Sequence, residues 1–132
     1  MTAQGEAVLA WLESAIRERE RVASDAAAEA GGEWREDPFV YGVRDQKNAL
    51  VAKSREDRAR SIVHIAAADP ASVLRRCAAD RKLLGLHGGR AHSCPVWDDD
   101  GDFDQRVDFY DHEICPAVQF IAQGYGWTGG ER

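Results

Sequence analysis

Five residues combine types that hold metal ions: His87, His92, Cys94, His112 and Cys115. All lie within or beside one stretch, 88–115. Zinc takes about four nitrogen or sulfur ligands in a tetrahedron. Cys94 and Cys115 with two of the three histidines make a Cys2His2 set, with His87 and His92 as first choice and His112 as the alternate ligand. The spacing is not that of a familiar finger: there is no CxxC, and His92-Ser93-Cys94 is shorter than a finger knuckle. The case for a metal comes from the stretch itself, which shows no hydrophobic period. A loop of about 25 residues is unusual inside a compact domain unless it is functional, disordered or tied down. One structural zinc ion would close it and offset its ordering entropy.

The same stretch is acidic. Residues 98–113 hold eight acids against the single Arg106, a net of −7, whereas the whole chain carries −6, so the remainder sits near +1. Phosphate affinity rests on Lys and Arg, which argues against nucleic acid at this run. Asp98, Asp99, Asp100, Asp102 and Asp104 suit a cation, a basic protein surface or plain solvation. A helix-loop-helix calcium loop does not fit. With Gly101 at the sixth position, Val96 and Val107 occupy the first and twelfth, where carboxylates are needed. The opposite charge gathers at Arg75, Arg76, Arg81 and Lys82, which offer phosphate contacts from the faces of an expected helix.

The elements that position these groups follow from periodicity. Val8, Leu12, Ala15, Ile16, Val22, Ala23 and Ala26 make an apolar stripe at helical spacing over about 3–30, ended by Gly31-Gly32. Phe39-Val40-Tyr41 and Val43 are strand formers, Asp45–Asn48 is a turn, and Ala49–Ala52 returns, so a small hairpin is expected over about 34–53. A helix follows over about 55–68, with Ile62 facing the core and His64 expected to be buried beside it. Asp69-Pro70 opens the next helix, about 70–86, because Asp caps well and Pro is preorganised for the first helical position. Cys77 lies one turn beyond Leu74 and reads as a small core residue. The acidic loop spans 88–115, and a short helix closes the chain at about 116–123.

The resulting fold class is mainly α with a small β-hairpin, an α+β domain of three to four helices and a long loop clamped by zinc. At 132 residues, 44% hydrophobic and 30% charged, one domain over 1–132 is the expectation. No apolar run approaches the ~20 residues of a membrane span, and MTAQGEAVLAWLES lacks the basic start and apolar core of a secretory signal. A cytoplasmic protein is expected, its three cysteines serving as thiols, core residues or ligands, since an odd number does not suit a fully paired disulfide framework. GxSxG, Walker, dinucleotide and HExxH motifs are lacking in the sequence. A binding protein is therefore favoured over an enzyme, and the long first helix suits a monomer or a homodimer.

Three stretches together resemble a known family: VLAWLESAIRERERVA with the following EWRED, HIAAADPASVLRRCAADRKLLGLH, and CPAVQFIAQGYGW. They are similar to a group of small proteins of unknown function from actinobacteria and their phages, and the middle stretch is the most specific. The resemblance implies a cytoplasmic, often phage- or prophage-borne protein with no assigned activity. It also implies Cys and His between the LH and CP positions, which here are His87, Cys94 and Cys115. Some members carry a second cysteine three residues after the first; this chain has Trp97 there, so His92 or His112 must substitute. The function expected from residues and resemblance is a non-enzymatic accessory protein engaging a host or phage protein. A small nucleic-acid-binding regulator is the alternative, and a metal-dependent hydrolase is less favoured.

Overall fold

The computed structural model describes residues 2–96, 105–111 and 113–129. Among them the elements run α1 (Thr2–Ala30), β1 (Arg35–Asp37), β2 (Gly42–Arg44), β3 (Leu50–Lys53), a 3-10 turn (Glu56–Arg58), α2 (Arg60–Ala67), α3 (Pro70–His87), β4 (His92–Val96), β5 (Gln105–Phe109) and α4 (Pro116–Gly124). The expected mainly helical α+β class is what the chain adopts. No helix among the described residues is long and apolar enough to cross a membrane. The chain divides into two compact units, Arg17–Ala78 and Met1–Ile16 with Ala79–Arg132.

In the Arg17–Ala78 unit, side-chain oxygens replace backbone partners wherever the chain turns. Gly31 leaves α1 at φ 76°, a left-handed conformation that ends helices at little cost only for glycine. Gln46 Oε1 then accepts the N–H groups of Gly32 at 2.7 Å and Glu33 at 3.1 Å. A Cβ on Gly31 would lie 2.6 Å from that same oxygen, so a larger residue would displace it. The sheet is three-stranded and antiparallel in the order β1-β2-β3, with Glu36 opposite Val43 and Val43 opposite Ala52. Val43 is fully buried at its centre.

Two expectations for this region are corrected. The 34–53 segment carries three strands rather than a two-stranded hairpin, and Phe39-Val40-Tyr41 lies in the turn between β1 and β2 rather than in a strand. The cause is Asp37, whose Oδ1 accepts the Phe39 N–H at 3.1 Å. That local bond competes with strand pairing, and Pro38 has no N–H for a ladder. Further on, Ile62 is buried but His64 on α2 is exposed, because the apolar side of this short helix does not reach round to it.

Asp69 joins the parts of this unit. Its backbone carbonyl accepts the Val73 N–H, Oδ1 accepts the Ser72 N–H at 2.9 Å, and Oδ2 accepts the Trp34 N–H at 3.0 Å. The carboxylate therefore caps α3 and fixes the approach to β1 together. Cys77, further along α3, is buried as expected.

In the other unit, Val8, Leu12 and Ile16 of α1 and Val118 and Ala122 of α4 are buried. Trp11 and Trp127 meet edge to face with centroids 5.1 Å apart. The Tyr125 hydroxyl donates to Asp80 at 2.7 Å, and Arg81 pairs with Glu13 at 3.0 Å. The segment expected to be a patternless loop holds a hairpin instead: β4 pairs antiparallel with β5, from His92 opposite Phe109 to Val96 opposite Gln105. Its residues weaken the usual alternation because the face of β4 that ends in Val96 otherwise carries His92 and Cys94 rather than aliphatic side chains.

Burial pushes the Asp69 carboxyl up, but hydrogen bonds from Ser72 and the Trp34 N–H outweigh it and hold the group below its ordinary value. Its stabilisation is therefore complete above the unfolded Asp value of about 4 and is lost as pH falls through the lower folded value. Asp69→Ala should lower stability at neutral pH by about 1–2 kcal/mol in urea unfolding, the usual effect of losing a cap. Asp69→Asn, which keeps an acceptor but no charge, should lose less and should show a flatter acid limb than the parent.

Candidate metal centre

His87 sits in the last turn of α3. The helix stops there because the Gly88 N–H returns to Leu84 O and Gly89 takes φ 73°. A Cβ on Gly89 would press to 3.3 Å from Leu9 Cδ1, so glycine also permits the close approach. The Arg90 guanidinium covers the Gly85 carbonyl at 3.2 Å, and the Ala91 N–H is taken by Asp111 Oδ1 at 3.0 Å. The chain then enters β4 immediately beside His87.

On β4 the side chains alternate between faces. His92 and Cys94 are two apart and share one face, with Cys94 buried, while Ser93 and Pro95 are exposed on the other. The His92 ring stacks on Phe109 of β5, its register partner, at 5.7 Å and 24°. Cys115 arrives from the far end. Tyr110 and Glu113 exchange two bonds, Tyr110 N–H to Glu113 Oε1 at 2.6 Å and Glu113 N–H to Tyr110 O at 3.0 Å. That turn leads to Cys115 at the cap position of α4, fully buried and followed by Pro116 at the helix start.

The four side chains converge. One ligand atom from each of His87, His92, Cys94 and Cys115 lies within 4.8 Å of every other. His87 Nδ1 is 3.2 Å from His92 Nε2, 3.3 Å from Cys94 Sγ and 3.5 Å from Cys115 Sγ. Ligand bonds of ordinary length to a tetrahedral zinc would set nitrogen–nitrogen edges of about 3.3 Å and nitrogen–sulfur edges of about 3.6 Å. A ring nitrogen has either one hydrogen or one lone pair, so it cannot satisfy three such neighbours by hydrogen bonding. A cation at the centre satisfies all of them at once. His92 is also oriented for this. Its Nδ1 lies 2.7 Å from the Arg90 carbonyl oxygen, which can only accept, so the proton is on Nδ1 and the Nε2 lone pair faces the cluster.

Electrostatics agrees. Burial, reinforced by the charge His92 would carry, lowers the His87 pKa and keeps its ring neutral, as a ligand must be. Burial, with the Cys115 side chain beside it, raises the Cys94 thiol. A metal bound there therefore has to displace a proton from sulfur. No disulfide joins Cys77, Cys94 or Cys115.

Other candidate residues fall elsewhere. His112 and the acids Asp98, Asp99, Asp100, Asp102 and Asp104 lie outside the described residues. Of the basic group, Arg81 is engaged by Glu13 and Arg75 by the Ser72 hydroxyl, while Arg76 and Lys82 are exposed. The supporting groups that sequence reasoning missed are the Arg90 carbonyl and Phe109. A backbone carbonyl carries no residue-type signal, but the His-x-Cys spacing was a usable one, since two is the period of a strand face.

The chain belongs to a family of unknown function, DUF6221, whose model matches residues 5–126. This agrees with the expected membership of a family without an assigned activity. No curated protein matches the chain, and no solved structure does.

Cys94→Ser and Cys115→Ser should each weaken binding of a divalent transition metal by more than about 100-fold, beyond the 10- to 100-fold typical of losing an outer partner. Ser93→Ala, on the opposite face of the same strand, should leave it within about twofold. Competition titration against a chromophoric chelator measures both.

Proposed function

We propose that this DUF6221 member is a small non-enzymatic accessory protein in which one structural zinc ion, held by His87, His92, Cys94 and Cys115, clamps the two ends of the 88–115 segment. The observation that carries the proposal is the set of distances from His87 Nδ1, which match the edges of a zinc tetrahedron rather than a set of hydrogen bonds. Two thiolates and two imidazoles select zinc among abundant divalent ions. Four protein ligands also fill the coordination sphere, whereas a catalytic zinc keeps one position open for water. That donor count favours a clamp over a hydrolase.

The clamp gives the acidic run a role. Asp98, Asp99, Asp100, Asp102 and Asp104 fall between the ligands Cys94 and Cys115 in sequence, so the metal would fix both ends of a negatively charged segment suited to a basic protein surface. A reducing compartment such as the cytoplasm keeps both thiols available. The phage or prophage association rests on the resemblance of the three sequence stretches alone. Nucleic-acid binding is the weaker alternative, because Arg75 and Arg81 already have partners within the chain.

Elemental analysis of the purified protein should find about one zinc per chain, and chelation should lower the melting temperature by more than about 10 °C, since structural zinc supplies folding free energy. Cobalt(II) in its place should give the intense visible bands of tetrahedral thiolate coordination. Metal-free protein whose melt is unchanged by either zinc or chelator would overturn the clamp.

A further inference from the structure

The Arg17–Ala78 unit carries a second feature that the metal does not explain. Phe39 is 93% exposed at the tip of the β1–β2 turn. A single exposed apolar side chain is ordinary on a protein surface, but this one is held out by a fixed turn. Asp37 accepts the Phe39 N–H through Oδ1 and the Arg44 guanidinium through Oδ2 at 2.7 Å. The Val40 N–H reaches Asp37 O at 3.3 Å, and the Ser54 N–H ties down Tyr41 O at 2.7 Å. Tyr41 itself sits at φ 52°, a left-handed conformation that is unfavourable for a bulky residue and persists only where the surroundings impose it.

Beside the turn is a cavity of about 260 Å³. Its walls include Pro38, Tyr41, Ile62 and Val63, and Glu36 and Arg60 also line it. Val63 is 51% exposed, so the wall has apolar surface left to cover. Glu36 and Arg60 are exposed, oppositely charged, and have no hydrogen bond or ion pair to each other or to any other described residue.

An aromatic knob, an apolar hole next to it, and one unpaired acid and one unpaired base at the hole form a self-complementary set. A two-fold axis exchanges knob with hole and acid with base. We propose that this surface takes a second copy of the chain: Phe39 of each copy enters the cavity of the other, and Glu36 of each copy meets Arg60 of the other. Aromatic anchors seated in pockets carry most of the binding energy at such interfaces. The surface is small, though. Two such anchors bury roughly 300–500 Å², well below the ~1,600 Å² of a standard interface, so the dimer is weak and populated only at high protein concentration.

Sedimentation velocity from about 1 to 500 µM tests this. The parent protein should move from 14.6 kDa to twice that mass as concentration rises. Phe39→Ser should remain a single chain throughout, with an unchanged circular dichroism spectrum and melt, because the side chain contributes nothing to its own core. Glu36→Arg and Arg60→Glu should each weaken dimerisation by more than about tenfold, and the two together should restore it. A parent protein that stays monomeric to the highest concentration, or a dimer that Phe39→Ser leaves intact, overturns the proposal.

Discussion

One imidazole nitrogen with three neighbours sets the chemistry of this protein. Nδ1 of His87, at the end of α3, can form one hydrogen bond, yet β4 brings two ligand-capable atoms to it and the cap of α4 brings a third. Buried polar groups are paired as a rule, and leaving them unpaired costs about 1–3 kcal/mol each. Three elements that converge on a shared point make a cluster that could hold a metal ion. The glycine turn after His87, the stack of His92 on Phe109 and the Tyr110–Glu113 turn before Cys115 all keep that convergence in place.

Much of this was legible from residue types. The Asp69-Pro70 cap, the helical stripe of α1, the Asp45–Asn48 turn and the candidacy of His87, His92, Cys94 and Cys115 as a metal-holding group follow from rules that act over a few residues. The errors share a cause: a local side-chain bond or an unusual face beat the statistical preference. Phe39-Val40-Tyr41 favours a strand by composition, but one carboxylate at Asp37 bends it. His64 looked buried from its neighbours, yet burial depends on what packs against a helix. The β4–β5 hairpin escaped notice because hydrophobic alternation was the signal sought, and on β4 the inward face is a ligand face.

The Arg17–Ala78 unit fixes several of its turns with side-chain oxygens. Asp37, Asp45, Asp69 and Gln46 each place a side-chain oxygen on two or more donors, and most of those donors are backbone N–H groups freed where the chain changes direction. Such bonds are strong when the acceptor is charged. They tie the short strands and the two-turn α2 of this unit to its portions of α1 and α3.

The spacing of the four convergent residues has a consequence for which parts of the chain can vary. Three of them fall within 87–94, while Cys115 joins from the far side of the acidic segment. In the proposed centre the first three form a chelate whose geometry depends on a helix turn, a glycine reversal and a strand period, and adding one residue between His92 and Cys94 would turn the thiol to the wrong face. The span from Cys94 to Cys115 contains β5, whose register with β4 and the Tyr110–Glu113 turn after it set where Cys115 arrives. The eight-residue chelate must therefore keep its count, and so must the paired strand and turn that deliver the fourth ligand.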